Sequence, residues 1–135
     1  MEYVRWDDSM SVNIELIDNQ HINLIMMINK LHRSLIIGQG NAAVGPVLTG
    51  LVDYVKIHFS TEEKLMKKYN YPEYDIQKQE HVQLILKLKD FLKKYKERSP
   101  LLAREILIFL GEWVRIHIKE EDAKFKPFFH KHGVK

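Results

Sequence analysis

The chain contains no cysteine, which excludes disulfides, thiolate metal sites and cysteine nucleophiles. It has no apolar run approaching the ~20 residues of a membrane span. Its opening segment, MEYVRWDDSM, lacks the basic and apolar regions of a signal peptide. The expectation is a cytoplasmic protein with no membrane association. There is no internal repeat at a solenoid period and no low-complexity stretch. The net charge of +3 is small, and the lysines at 64, 67, 68, 87, 89, 93, 94 and 96 interleave with apolar residues as solvated helix faces do. No nucleic-acid-binding motif accompanies that charge, so no nucleic-acid partner is expected.

What is present is an ordinary globular composition, 45% hydrophobic and 29% charged over 135 residues, enough for one domain with a real core. Four helical segments, at about 18–37, 42–69, 72–97 and 100–121, follow an arm at 1–16 in which Trp6 and Val12 are the expected anchors. Asp18 is a plausible N-cap for the first, and Gly38-Gln39-Gly40 stops it. Pro46 lies in the opening turns of the second. Tyr71-Pro72-Glu73 opens the third, and Ser99-Pro100 reads as N-cap and first helical residue of the fourth. Pro127 marks the latest point at which the fourth helix continues undisturbed. Short connections make successive helices antiparallel neighbours, so the expected fold is all-α, an up-down-up-down four-helix bundle with an N-terminal arm.

Each apolar stripe is interrupted. The first helix reads Ile17, His21, Leu24, Ile28, Leu31, Leu35. The second reads Leu48, Leu51, Val55, His58, Glu62, Leu65, Tyr69. The third carries Gln77, His81, Leu84, Leu88, Phe91, Tyr95, and the fourth Ile106, Phe109 or Leu110, Trp113, His117. A buried polar group without a partner costs a few kcal/mol, so leucine would be the cheaper choice at each of these positions. In an antiparallel bundle His21, His58, His81 and His117 fall in one layer. One histidine on an apolar stripe is ordinarily a hydrogen-bonded core residue, and HxxxE alone is a weak motif. Four interruptions at one depth, with the carboxylates Glu62 and Asp122, point to a shared metal centre built from nitrogen and oxygen donors, which suit iron, manganese or zinc.

His58 and Glu62, four apart, lie ~40° apart on one helix face. His117 and Asp122 are five apart, about 140° around an ideal helix. For both to reach one site, the helix must loosen or end near Asp122, or the side chain must bend back. His32 lies ~16 Å along the axis from His21 and cannot join the site, leaving a surface or second-layer role. His130 and His132, in the terminal HKHGVK, are expected to be exposed.

These residues in this order resemble the hemerythrin family, specifically its single-domain bacterial members. The resemblance rests on Trp6, IDNQHINLIMMIN around His21, YVKIHFSTEEKLM around His58 and Glu62, YNYPE, His81, and WVRIHIKEED with His117 and Asp122. It spans nearly the whole chain. It implies two non-heme iron ions, oxo- or hydroxo-bridged, that bind dioxygen reversibly. By carry-over Glu62 and Asp122 would bridge the irons, His21 and His58 would hold the iron with an open position, and His81 and His117 would hold the other. The family's oxygen pocket would map onto Leu24, Phe59, Trp113, Val114 and Ile118. A dry pocket there hinders loss of the bound oxygen as an anion that water would solvate.

One position departs from the family pattern. Members usually carry HxxxH in the third helix, and here Gln77 stands four residues before His81. Gln77 has three roles open to it: ligation through its amide oxygen, a hydrogen bond to a ligating water, or no part in the site. The expected consequence is a weaker, more solvent-open iron. The leading reading is an oxygen-binding protein for storage, delivery or scavenging, rather than an enzyme. The alternatives are a sensor of oxygen, nitric oxide or redox state, and a di-iron redox enzyme resembling a peroxidase or nitric oxide reductase.

Overall fold

In the computed structural model the chain folds into four helices, α1 (Glu15–Ile36), α2 (Gly40–Lys68), α3 (Tyr74–Lys96) and α4 (Leu102–Lys131), after a 3-10 turn at Asp8–Met10. The structure describes residues 2–135, the side chains at 121 and 122 excepted. Among the described residues there is no strand, and no helix is long and apolar enough to cross a membrane. Each helix packs on its neighbours, α1 on α2 and α4, and α3 on α2 and α4, which closes the bundle.

All four helices stop in the same way. The residue after the cap is left-handed: Gly38 at φ 77°, Asn70 at 54°, Arg98 at 56° and Gly133 at 71°. The next backbone N–H then returns to the carbonyl five residues back: Gln39 to Ser34, Tyr71 to Met66, Ser99 to Lys94 and Val134 to Phe129. These bonds satisfy carbonyls that a helix end otherwise orphans. Glycine enters that conformation without a Cβ penalty, and Arg98 does not.

The helix starts differ from the sequence expectation. α1 begins at Glu15, so Asp18 is not its N-cap. The Asp18 carboxylate instead accepts the Val12 backbone N–H at 2.9 Å and the Ser11 hydroxyl, tying the arm to the helix. Ser99 and Pro100 precede α4, which starts at Leu102. The arm is anchored by buried Val4, Met10, Val12 and Ile14, with Trp6 half-buried. Asn29 of α1 accepts the N–H groups of Tyr3 and Val4 at 3.0 and 2.9 Å and donates to the Val4 carbonyl at 2.8 Å.

The larger correction is at the end of α4, which runs to Lys131 rather than stopping near residue 121. Pro127 removes one helical hydrogen bond and strains the preceding turn, at about 3 kcal/mol. Against that, Phe125 and Phe129 are 0% and 1% exposed. Buried aromatic side chains of this size contribute about 3–5 kcal/mol each. Packing therefore outweighs the proline, and helical propensity alone gives the wrong end point.

The core has two parts. A large cluster includes Leu24, Ile28, Leu51, Val55, Leu84, Leu88, Leu110 and Val114, with Leu110 rather than Phe109 as the buried member of its pair. A smaller one joins Val12, Ile14, Ile17, Met66, Tyr71, Phe125 and Phe129. The polar stripe positions lie between them: each falls between a member of the small cluster and a member of the large one along the chain. The extended α4 and the arm thus close over the polar layer.

Candidate metal centre

The centre is built from the first turns of α1 and α3, the last turns of α2 and the middle of α4. His21, His58 and Glu62 are all 0% exposed, Gln77 and His81 1%, and His117 3%. Two groups of potential ligand atoms converge: His21 with His58 and Glu62, and Glu62 with His81 and His117. Glu62 belongs to both. His21 Nε2 and His58 Nε2 are 3.1 Å apart. Glu62 Oε1 lies 3.3 Å from His58 Nε2 and 3.0 Å from His81 Nε2, while Oε2 lies 4.0 Å from His21 Nε2.

A second tier fixes the imidazoles. His58 Nδ1 donates to Gln20 Oε1 at 2.7 Å, and Gln20 Nε2 donates to Thr61 at 3.2 Å, which fixes the amide orientation. His81 Nδ1 donates to Glu63 Oε2 at 2.9 Å, and His117 Nδ1 to Glu80 Oε2 at 3.0 Å. With Nδ1 carrying the proton, each ring turns a lone pair at Nε2 toward the centre. This is the arrangement that orients histidine for a metal and raises its donor strength. For His81 both nitrogens then face carboxylate oxygens, and for His58 the inward nitrogen faces an oxygen and another nitrogen. So many converging lone pairs repel unless positive charge sits among them. The donor set, nitrogen and oxygen only, fits a first-row divalent metal.

Charge in the second tier is uneven. Burial opposes ionisation of Glu63, but hydrogen bonds from His81 and Lys78 outweigh it and hold its carboxyl below the ordinary value. The His117 hydrogen bond does the same for Glu80, against a smaller effect of burial. Glu120 is pushed up, first by burial and then by the negative charge of Glu80. Glu80, Glu112, Trp113, His117 and Glu120 line a cleft of about 300 Å³ between α3 and α4.

The predicted residues fall as follows. His21, His58, Glu62, Gln77, His81 and His117 are buried in the polar layer; Asp122 lies outside the described side chains, but the helix does not end beside it. Leu24, Phe59, Val114 and Ile118 are buried in the large cluster, and Trp113 packs at its edge. Phe59 stacks on His81 with ring centres 3.8 Å apart, and Trp113 on His117 at 4.1 Å. His32 is half-buried against Tyr3, at 5.1 Å between rings, and His130 and His132 are exposed. The sequence reading missed Gln20, Glu63 and Glu80. Their signal was adjacency: each sits directly beside a predicted ligand in sequence.

Residues 12–129 match the family model for the hemerythrin HHE cation-binding domain. The chain is 31% identical over 125 residues to a bacteriohemerythrin of Stenotrophomonas maltophilia, covering 93% of this chain and 80% of that protein. It is 31% identical over 115 residues to the bacteriohemerythrin of Methylococcus capsulatus, covering 85% of this chain and 87% of the other. Against a myohemerythrin of Theromyzon tessulatum the identity is 30% over 125 residues, with 93% and 92% covered. Among solved structures, a leucine-to-tyrosine mutant of hemerythrin superposes with a TM-score of 0.73 at 26% identity, covering 93% of this chain and 99% of that one. Sequence and backbone agree along nearly the same span, and that span contains the whole polar layer. The chain belongs to the hemerythrin family, whose centre holds two non-heme irons and binds oxygen.

Proposed function

We propose that this chain binds dioxygen reversibly, as a store, carrier or scavenger. The observation that carries the reading is the pair of buried histidine–carboxylate groups sharing Glu62. His21 and His58 would hold one iron, His81 and His117 the other, with Glu62 and Asp122 common to both. The two irons, when bound, supply the coordination and the electrons for reversible oxygen uptake.

The chain's own residues do the rest. Gln20, Glu63 and Glu80 hold three imidazoles through Nδ1, leaving Nε2 as the atom each would offer to a metal. Leu24, Phe59, Val114 and Ile118 form apolar walls beside the ligands and keep water away from them. Exclusion of water disfavours release of charged oxygen species and so favours release as neutral dioxygen. The test is repeated exposure of the reduced, iron-loaded chain to oxygen and then to argon while its absorption spectrum is followed. Cycling between two spectra is expected. One-way oxidation with no intermediate spectrum overturns the reading. The cleft reaching His117 favours one second reading, a di-iron redox enzyme acting on peroxide or nitric oxide. Steady turnover above that of free iron would select it over the carrier.

A further inference from the structure

Gln77 is 1% exposed, and its Oε1 is buried with no hydrogen-bond partner among the described residues. A buried amide oxygen left so costs about 1–3 kcal/mol relative to a satisfied one. A leucine at this position would cost nothing of the kind. Four residues on, His81 turns Nε2 to within 3.0 Å of Glu62 Oε1. Residues four apart on a helix are separated by ~40° and ~6 Å, so Gln77 faces the same centre from the adjacent turn. Its Oε1 is as many bonds from Cβ as the Nε2 of a histidine, so its reach is that of a histidine ligand.

We propose that Gln77 ligates the metal at the His81–His117 end through Oε1, and that this neutral oxygen makes that ion the weaker-held and more exchangeable of the two. The proposal rests on the di-iron reading above and deepens it. An amide oxygen is a poorer donor than imidazole to a divalent first-row metal. A cleft between α3 and α4 also reaches this end, since His117 lines it. The His21–His58 end has no such substitution: its rings are 4.7 Å apart and both are fully buried. The Glu63 and Glu80 carboxylates behind His81 and His117 strengthen the two imidazoles that remain at the Gln77 end, which partly offsets the weak oxygen.

The experiment begins with the Fe(II)-loaded chain under argon and challenges it with a graded series of chelator concentrations. Iron retained per chain is then measured by elemental analysis. The parent is expected to lose its ions in two steps, with the first ion held at least about tenfold more weakly than the second. Gln77→Leu should lose the first ion at still lower chelator or carry only one ion. Gln77→His and Gln77→Glu should tighten the weaker ion so that it is no longer the first to be lost, and Gln77→Glu remains decisive if the leucine variant does not fold. Retention of both ions by Gln77→Leu with parental affinity overturns the proposal, as does a parent that loses both ions in one step. No tightening in Gln77→Glu overturns it as well. A parent that never loads iron overturns the di-iron reading, a result distinct from all of these.

Discussion

Replacing Glu63 tests whether the second tier sets metal affinity at one end of the centre and not the other. Its Oε2 accepts from His81 Nδ1 at 2.9 Å, and its Oε1 accepts from Lys78 Nζ at 3.1 Å. Loss of such an outer partner typically costs about 10–100-fold in metal affinity, which corresponds to about 1.4–2.7 kcal/mol. Glu63→Gln keeps an acceptor for His81 but removes the charge, and it then turns an amide N–H toward the Lys78 ammonium. The cost should fall at the low end, about tenfold. Glu63→Ala removes the acceptor too and should approach about a hundredfold. Both losses should appear in the ion at the His81–His117 end, measured by chelator competition on the iron-loaded chain. The ion at the His21–His58 end should be unchanged, because His58 is held by Gln20 on another helix. Equal weakening of both ions, or of neither, refutes the reasoning. The metal-free chain offers a second readout. The Glu63 carboxyl lies below its ordinary value of 4.5, since the His81 and Lys78 hydrogen bonds outweigh burial. Its contribution to stability is therefore present above that pH and lost as pH falls through the lowered folded value. Glu63→Gln should be less stable than the parent at neutral pH, and the gap should close in acid.

Other parts of the molecule give independent tests. Asn29→Ala strips the acceptor from the Tyr3 and Val4 N–H groups and should cost about 2–4 kcal/mol. Urea unfolding would measure that cost, and a red shift of Trp6 fluorescence would report the freed arm. Arg98→Gly removes a side chain from a left-handed position at φ 56° and should raise stability by about 1 kcal/mol, checked by thermal melting. Phe125→Ala empties a fully buried aromatic position in the small cluster and should cost about 3–5 kcal/mol. Because that cluster closes one side of the polar layer, the same variant should lose iron faster to chelator; unchanged release would show that the lid is not needed to retain metal.

The bundle and its buried polar layer were legible because that layer breaks a simple rule at regular places. A helix stripe that reads Leu-Leu-Val-His-Glu declares both its buried face and the exception on it. The end of α4 was not legible, since Pro127 argues locally for termination and the packing of Phe125 and Phe129 against Ile17, Met66 and Tyr71 is non-local. The fate of Asp18 was hidden for the same reason. Its side chain suits an N-cap, but the arm's Val12 N–H competes for it and wins. Gln77 stood out only beside a pattern in which histidine belongs there. What the fold adds is that its Oε1 is buried without a hydrogen-bond partner among the described residues.

The three second-tier residues follow from helix geometry in a way that makes their charges consequential. One step along a helix turns the side chain ~100°. A residue beside an inward-facing ligand therefore points into the groove against the neighbouring helix. Gln20 of α1 meets His58 of α2, Glu63 of α2 meets His81 of α3, and Glu80 of α3 meets His117 of α4. Each of α1, α2 and α3 thus orients a polar-layer histidine of the next helix, so the identity of one neighbouring residue would tune a candidate ligand on a different helix. Here the neutral acceptor serves His58, while both carboxylates serve the imidazoles that share an end with Gln77. A carboxylate behind an imidazole raises its donor strength more than an amide does. The end with the weakest side-chain donor therefore has the two most strongly supported imidazoles. Changing Gln77 to histidine alone should consequently overshoot, giving an ion held more tightly at that end than at the other, and pairing it with Glu63→Gln should bring the two ends back toward balance.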